Sequence, residues 1–287
     1  TPDKGLVTPV VAGFLISALG GSRFQIGGPT GAFIPVVYTV IATHGYDGLV
    51  LATLMAGVML IAAGLLKTGT LMRFMPQPLV TGFTSGIAVI IATSQLKDAL
   101  GLDVAKVPAE FLPKLRVLAA HLGETDPWAL GMAAASVALI AGLRRWAPRA
   151  PGFLLAVLAA AGATALWQLP VDTIGSRFGG IPSSLPMPHW PAVSPERLVA
   201  LLPSALTIAF LAGIESLLSA VVADGMSGGK HRPNTELVAQ GIANTASALV
   251  GGLPATGAIA RTATSIRSGA RTPVAGMLHA LLVLGFM

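Results

Sequence analysis

Two helix breaks written in nearly the same letters, one toward each end of an apolar chain, constrain this fold more than anything else in the sequence. Gly28-Pro29-Thr30-Gly31-Ala32 returns as Pro254-Ala255-Thr256-Gly257-Ala258. Only 10% of the residues are charged and 53% are hydrophobic, with a mean hydropathy of +0.76, whereas a water-soluble domain carries about a quarter charged residues. Too few charges remain to cover a water-facing surface, so the apolar runs read as membrane spans. A break inside a span leaves backbone N–H and C=O groups that hydrocarbon cannot satisfy, and it survives only where protein or a wet cavity covers it. A matched pair of such breaks, one in each half of a chain, points to the binding site of a transporter.

Runs near the roughly 20 residues that cross a bilayer occupy Gly5–Gly20, Ile26–Thr43, Gly48–Leu66, Pro78–Leu96, Trp128–Leu143, Gly152–Leu169, Leu198–Ala223, Leu237–Val250, Leu253–Ser268 and Val274–Met287. About ten spans, several short or broken, suit an all-α transporter or channel core rather than an anchor. Between them an amphipathic helix is expected over Glu110–Leu122, and Pro170–Pro195 reads as a Pro-rich external or interfacial loop. Lys67 and Arg73, then Arg144, Arg145 and Arg149, then Lys230, His231 and Arg232 are separated by even numbers of spans. They share one face, which the excess of cations assigns to the cytoplasm. Lys97, Asp98, Asp103, Lys106, Asp126, Asp172 and Glu196 fall on the other.

The net charge of +6 is spread among these loops and forms no single basic, aromatic-bearing stripe, which argues against a nucleic-acid partner. There is no cysteine, hence no disulfide and no thiolate metal site. The five histidines are scattered, and no zinc-protease, phosphate-loop or nucleophile-elbow motif is present. The expectation is neither an enzyme nor a cofactor or metal protein. The chain begins at Thr1 without a signal-peptide pattern and ends in an apolar run. It reads as a piece of a longer multi-pass protein of a bacterial inner membrane.

Each break predicts a half-helix. Pro29 has a fixed φ and needs no N–H partner, so a helix is expected over Thr30–Thr43, and a second over Ala255–Ser268 after Gly251-Gly252-Leu253-Pro254. At 1.5 Å per residue, each is too short to cross about 30 Å of hydrocarbon. Parity runs the two in opposite directions, as an inverted repeat requires. Unpaired N–H groups and the macrodipole make each N-terminus electropositive, glycines such as Gly31 and Gly257 let a ligand approach the backbone, and two such ends aimed at one point form an anion site. The plainer alternative is a pair of kinks that serve packing.

Arg261 lies one turn into the second half-helix, and an arginine at membrane depth is functional by default. Its positive potential suits an anion; a snorkelling or ion-paired arginine is the other reading. Glu215 is the acid well inside a span, with Ser219 four residues on along the same face. Two coupling jobs fit: a proton site, or part of an oxygen-lined Na⁺ site. A salt bridge from Glu215 to Arg261 is the structural alternative. Gln240 and Asn244, spaced i and i+4, are expected to bond to neighbouring helices.

The segments GGPTGAF, PQPLVTGFTSGIAVIIATSQLKDALG and GIESLLSAVVADGMSGGKHRPNTELVAQGIANTASALVGGLPATGAIARTATSIRSGA resemble the SulP family of anion transporters, the sulfate-permease group that includes bicarbonate and dicarboxylate carriers and prestin. The resemblance runs through nearly the whole chain. It implies an inverted seven-plus-seven helix fold, truncated here, with a core domain over 1–66 and 196–287 and part of a gate domain over 67–195. The family's first span, last three spans and STAS domain have no counterpart. It further implies an anion held between Pro29, Thr30, Gly31 and Ala32 on one side and Gly257, Ala258, Ile259, Ala260 and Arg261 on the other. Glu215 matches the family's cation-coupling position, with Ser219 as companion, and the full-length protein is implied to be a homodimer.

Sodium-coupled bicarbonate members tend to carry Asp at the Glu215 position and a threonine where this chain has Ile259, so proton coupling or exchange is expected over Na⁺ symport. The competing readings are a nucleobase/proton symporter of the same fold, which would not need Arg261, and an anion channel or voltage-responsive motor.

Overall fold

The computed structural model describes residues 2–74, 77–104, 107–108, 110–148, 150–180, 186, 188 and 190–287. Lys106, Arg149 and part of the Pro-rich stretch lie outside the described residues. The chain divides into two compact units, residues 1–84 with 181–287 and residues 85–180. The 3₁₀ segment Thr68–Phe74 belongs to the first unit and packs on its helices.

The first unit contains α1 (Pro2–Leu19), β1 (Gly27–Gly28), a 3₁₀ turn (Gly31–Phe33) and α2 (Ile34–Leu65). After residue 181 come α8 (Pro195–Ser227), α9 (Pro233–Leu249), β2 (Thr256–Gly257), α10 (Ile259–Arg267) and α11 (Val274–Gly285). In α2 the helix is interrupted at Gly45, whose φ of 69° and ψ of −177° lie outside helical space, a conformation that glycine tolerates for want of a Cβ. The two apolar runs expected on either side of this point are therefore distinct helices, the first ending near His44.

Leu49, Leu60, Leu201, Ile208 and Leu217 form the main apolar core, where α2 and α8 meet. On its other side α2 packs on α9 along a seam of small residues. A Cβ on Gly57 would stand 2.3 Å from Thr245 Oγ1, one on Gly241 would stand 2.5 Å from Gly57 O, and one on Gly64 would stand 2.6 Å from a Val238 methyl. Membrane helices, with no hydrophobic drive between them, associate by such close backbone approach. α1 packs on α9 and α11.

The second unit comprises most of α3 (Gln77–Ala99), then α4 (Phe111–Ala120), α5 (Pro127–Trp146), α6 (Gly152–Trp167) and α7 (Ile174–Phe178). α4 is the expected amphipathic helix. Asp126 caps α5, accepting from Trp128 N at 3.0 Å and Ala129 N at 3.2 Å. Arg177 reaches Asp98 at 2.8 Å and Asp172 at 3.0 Å.

Three helical stretches among the described residues are long and apolar enough to cross a membrane: Gly31–Leu65, Pro127–Trp146 and Pro195–Ser227. Large apolar side chains point outward throughout, among them Val58, Trp146, Leu166 and Phe210. So many exposed large apolar side chains suit a lipid solvent rather than water.

Candidate anion site

The two breaks meet. β1 and β2 pair antiparallel, Gly27 opposite Gly257 and Gly28 opposite Thr256, and Ala258 N donates to Ile26 O at 2.9 Å. Each extended segment thus satisfies the other's backbone, which is how non-helical chain is tolerated in a membrane protein. The half-helices start later than the sequence predicts. Thr30 is the extended N-cap of a 3₁₀ turn that becomes α2 at Ile34, so Pro29 does not open the helix. Ala255 to Ala258 are not helical either; Ala258 is the N-cap and α10 runs for nine residues, Ile259–Arg267. At about 1.5 Å per residue α10 is shorter than half the hydrocarbon thickness.

A buried polar frame fixes the crossing. Gly257 N donates to Ser216 Oγ at 3.1 Å, Ser216 Oγ lies 2.6 Å from Thr256 Oγ1, and Thr256 Oγ1 donates to Ala212 O at 3.1 Å. With Thr256 donating to the carbonyl, Ser216 must donate to Thr256, so the hydroxyl protons follow one direction. Asn244 clamps the approach to β2 with both ends of its amide: Ala255 N donates to Oδ1 at 2.8 Å and Nδ2 donates to Ala255 O at 2.9 Å. Thr262 Oγ1 accepts from Ile26 N at 3.0 Å and from Ser219 Oγ at 3.3 Å. Gln25 Nε2 reaches Ser216 O at 3.2 Å, and its side chain fills the space in which a Cβ on Gly257 would sit.

Charge enters at the same place. Arg261 Nη2 donates to Pro29 O at 2.7 Å, and its guanidinium lies against Gly28, whose φ of 150° and missing Cβ leave room for it; a Cβ there would be 2.8 Å from Nη1. Thr30 Oγ1, on the neighbouring residue, donates to Glu215 Oε2 at 2.8 Å. Pro29 and Thr30 therefore sit between a guanidinium and a carboxylate. The two charges attract each other, but no ion pair closer than 4.0 Å joins them, so the salt-bridge alternative does not describe this geometry. At the helix tips the N–H groups of Gly31, Ala32, Ile259, Ala260 and Arg261 have no acceptor among the described residues. Pro29 to Ala32, Ile259 and Arg261 are partly exposed, Ala260 is exposed, and Gly257 and Ala258 are buried.

The structure thus gathers the expected residues of both breaks, with Arg261 and Glu215, into one locality. Ser219 stands apart: it is fully buried and its hydroxyl goes to Thr262, so the hydroxyl partner of Glu215 is Thr30. Gln240 donates to Glu236 within its own helix, not to a neighbouring one; Asn244 does reach outside α9. Sequence reading missed Ser216, Thr262 and Gln25. Their signal was legible as hydroxyls and an amide set among apolar residues next to Glu215, Arg261 and β1.

A helical membrane protein whose two interrupted helices join back to back, tips toward one charged locality, has the inverted-repeat fold of a secondary transporter. The chain belongs to the sulfate permease family, whose sequence profile matches residues 1–287; this is a family of transporters, not enzymes. It is 46% identical over 284 residues to YvdB of Bacillus subtilis, an alignment covering 99% of this chain and 54% of YvdB. It is 33% identical over 288 residues to the bicarbonate transporter BicA of Synechocystis sp., covering 98% of this chain and 50% of BicA. The solved transmembrane domain of a cyanobacterium bicarbonate transporter BicA superposes with a TM-score of 0.83 at 32% identity, covering 98% of this chain and 73% of that one. The chain spans about half the length of the curated relatives it matches.

Proposed function

We propose that this chain is part of the membrane domain of a secondary active transporter for small anions such as sulfate, bicarbonate or dicarboxylates. The observation that carries the reading is the antiparallel pairing of Gly27–Gly28 with Thr256–Gly257 under the Arg261 guanidinium. It sets two electropositive helix tips and a fixed cation beside one partly exposed patch of backbone. An anion there meets backbone N–H donors and the positive potential of the guanidinium together. Bound anion is held by Pro29–Ala32 and by Gly257–Arg261, and Glu215, bonded to Thr30, senses occupancy through the Pro29–Thr30 link and carries the coupled proton. The first unit acts as the moving core and the second as part of the gate, in an elevator-type cycle of a homodimer in a bacterial inner membrane.

The test uses the full-length protein in liposomes, with uptake of labelled sulfate, bicarbonate, fumarate and uracil measured with and without a proton or Na⁺ gradient. Uptake of at least one anion, stimulated by an inward proton gradient in wild type but not in Glu215→Gln, is the expected result. Uracil uptake without anion uptake would remove the anion reading, and a Glu215→Gln protein still driven by the gradient would move coupling to another group.

A further inference from the structure

A cavity of about 560 Å³ shares no lining residue with the anion site. Its wall is built from three turns at helix ends: Gly20–Phe24 after α1, Ser227–Arg232 between α8 and α9, and Pro273 ahead of α11. Arg23, Lys230 and Arg232 line it, all three exposed, and none of these side chains has an ion-pair or hydrogen-bond partner among the described residues. The carboxylate in the wall, Asp224, is already engaged, accepting from His231 N at 3.0 Å and from His231 Nδ1 at 2.7 Å.

The turns cannot relax to separate the cations. Arg232 N donates to Gly21 O at 3.0 Å, while Gly21 N and Ser22 N donate to the fully buried Glu236 carboxylate at 2.8 and 3.2 Å. Glu236 also takes a hydrogen bond from Gln240 at 2.9 Å, so both its oxygens are occupied in holding the turns. Thr235, in the first turn of the 17-residue α9, adds that helix's positive end to the same cavity. Three cations without a protein partner around one cavity favour a polyvalent anion over a singly charged one. Two guanidinium forks and an ammonium match the oxygens of phosphate. The turns fall at the ends of the runs Gly5–Gly20, Leu198–Ala223 and Leu237–Val250, on the face to which the excess of cations belongs, and basic residues just outside such runs attract anionic headgroups.

We propose that this cavity binds a phosphate-bearing anion, supplied by the headgroup of an anionic phospholipid. The test uses the full-length protein in neutral detergent, following its thermal stability on titration with dioctanoyl phosphatidylglycerol, dioctanoyl phosphatidylcholine and inorganic phosphate. Phosphatidylglycerol is expected to stabilise the protein and phosphatidylcholine not to. The half-saturating concentration is expected to rise about a hundredfold in the triple variant Arg23→Gln, Lys230→Gln, Arg232→Gln, at about fivefold per cation, and to rise with salt. Stabilisation by inorganic phosphate, lost in the same triple variant, upholds the site and assigns its ligand to the soluble pool. Equal titrations of wild type and triple variant overturn the proposal, as does an equal loss in Arg144→Gln, Arg145→Gln, which would mark the binding as generic charge attraction. Should the triple variant fail to fold, Lys230→Gln alone, at an exposed side chain, is expected to show a severalfold loss; no loss there overturns it too.

Discussion

The two breaks carry the same letters and do different work. In the first, the strand pair Gly27–Gly28 comes before Pro29 and Thr30, and a 3₁₀ turn intervenes before the helix. In the second, Pro254 comes before the strand pair Thr256–Gly257, and the helix follows one residue later. Lettering aligns Thr30 with Thr256, but Thr256 lies in its strand whereas Thr30 follows the strand Gly27–Gly28. The consequence is a division of labour. Thr256 is fully buried and holds the frame through Ser216 and Ala212, whereas Thr30 is partly exposed and bonds to Glu215. The second half supplies the cation, Arg261; the first supplies the glycine and the carbonyl that receive it. A sequence repeat need not be a structural register, and asymmetry inside a pseudo-symmetric pair is what turns two helix ends into one site.

The largest effect is expected where the second break is tightest. A Cβ on Gly257 would stand 1.6 Å from Gln25 Nε2 and 2.4 Å from its Cδ, so Gly257→Ala is expected to cost about 3 kcal/mol of stability, seen as a lowered Tm in detergent. An unchanged Tm would mean that Gln25 does not fill that space and that the bridge is looser than described.

Arg261→Ala comes next. Loss of the charged donor is expected to weaken sulfate binding about thirtyfold, or about 2 kcal/mol, as measured by titration calorimetry on the full-length protein. Arg261→Lys should recover only part, because an ammonium lacks the fork that reaches Pro29 O while facing the site. Wild-type affinity in Arg261→Ala would reduce this residue to packing and erase the asymmetry between the halves.

The smallest effect sharpens the contrast of the shared threonines. Thr256→Val removes the partner of the fully buried Ser216 hydroxyl and the tie to α8 at Ala212 O and is expected to cost about 2 kcal/mol, whereas Thr30→Val removes one partly exposed bond and is expected to cost less than about 1 kcal/mol. Equal shifts in Tm for the two variants would show that lettering, not register, governs their roles.

Much of this was legible beforehand. The membrane class followed from the scarcity of charge, the half-helices from Pro and Gly inside apolar runs, and the importance of Arg261 and Glu215 from the expense of ions at that depth. The helix starts were misjudged because Pro29 and Ala255 are both compatible with a helical first turn, and only cross-chain pairing makes the extended form cheaper. The hydroxyl of Ser219 bonds away from Glu215 for a related reason. Helical spacing puts it on the face of Glu215, but Thr262 on a distant helix offers its hydroxyl a nearer partner.

By itself the sequence determined that the chain lives in lipid, that two of its helices stop short, and which side chains carry charge where charge is costly, because hydropathy, proline and glycine act locally. Tertiary structure alone decided that β1 finds β2, that Thr30 rather than Ser219 meets Glu215, and that Arg261 comes to rest on Gly28 without touching Glu215. Those outcomes depend on which backbone groups, more than two hundred positions apart, can satisfy one another away from water, and no local pattern encodes that pairing.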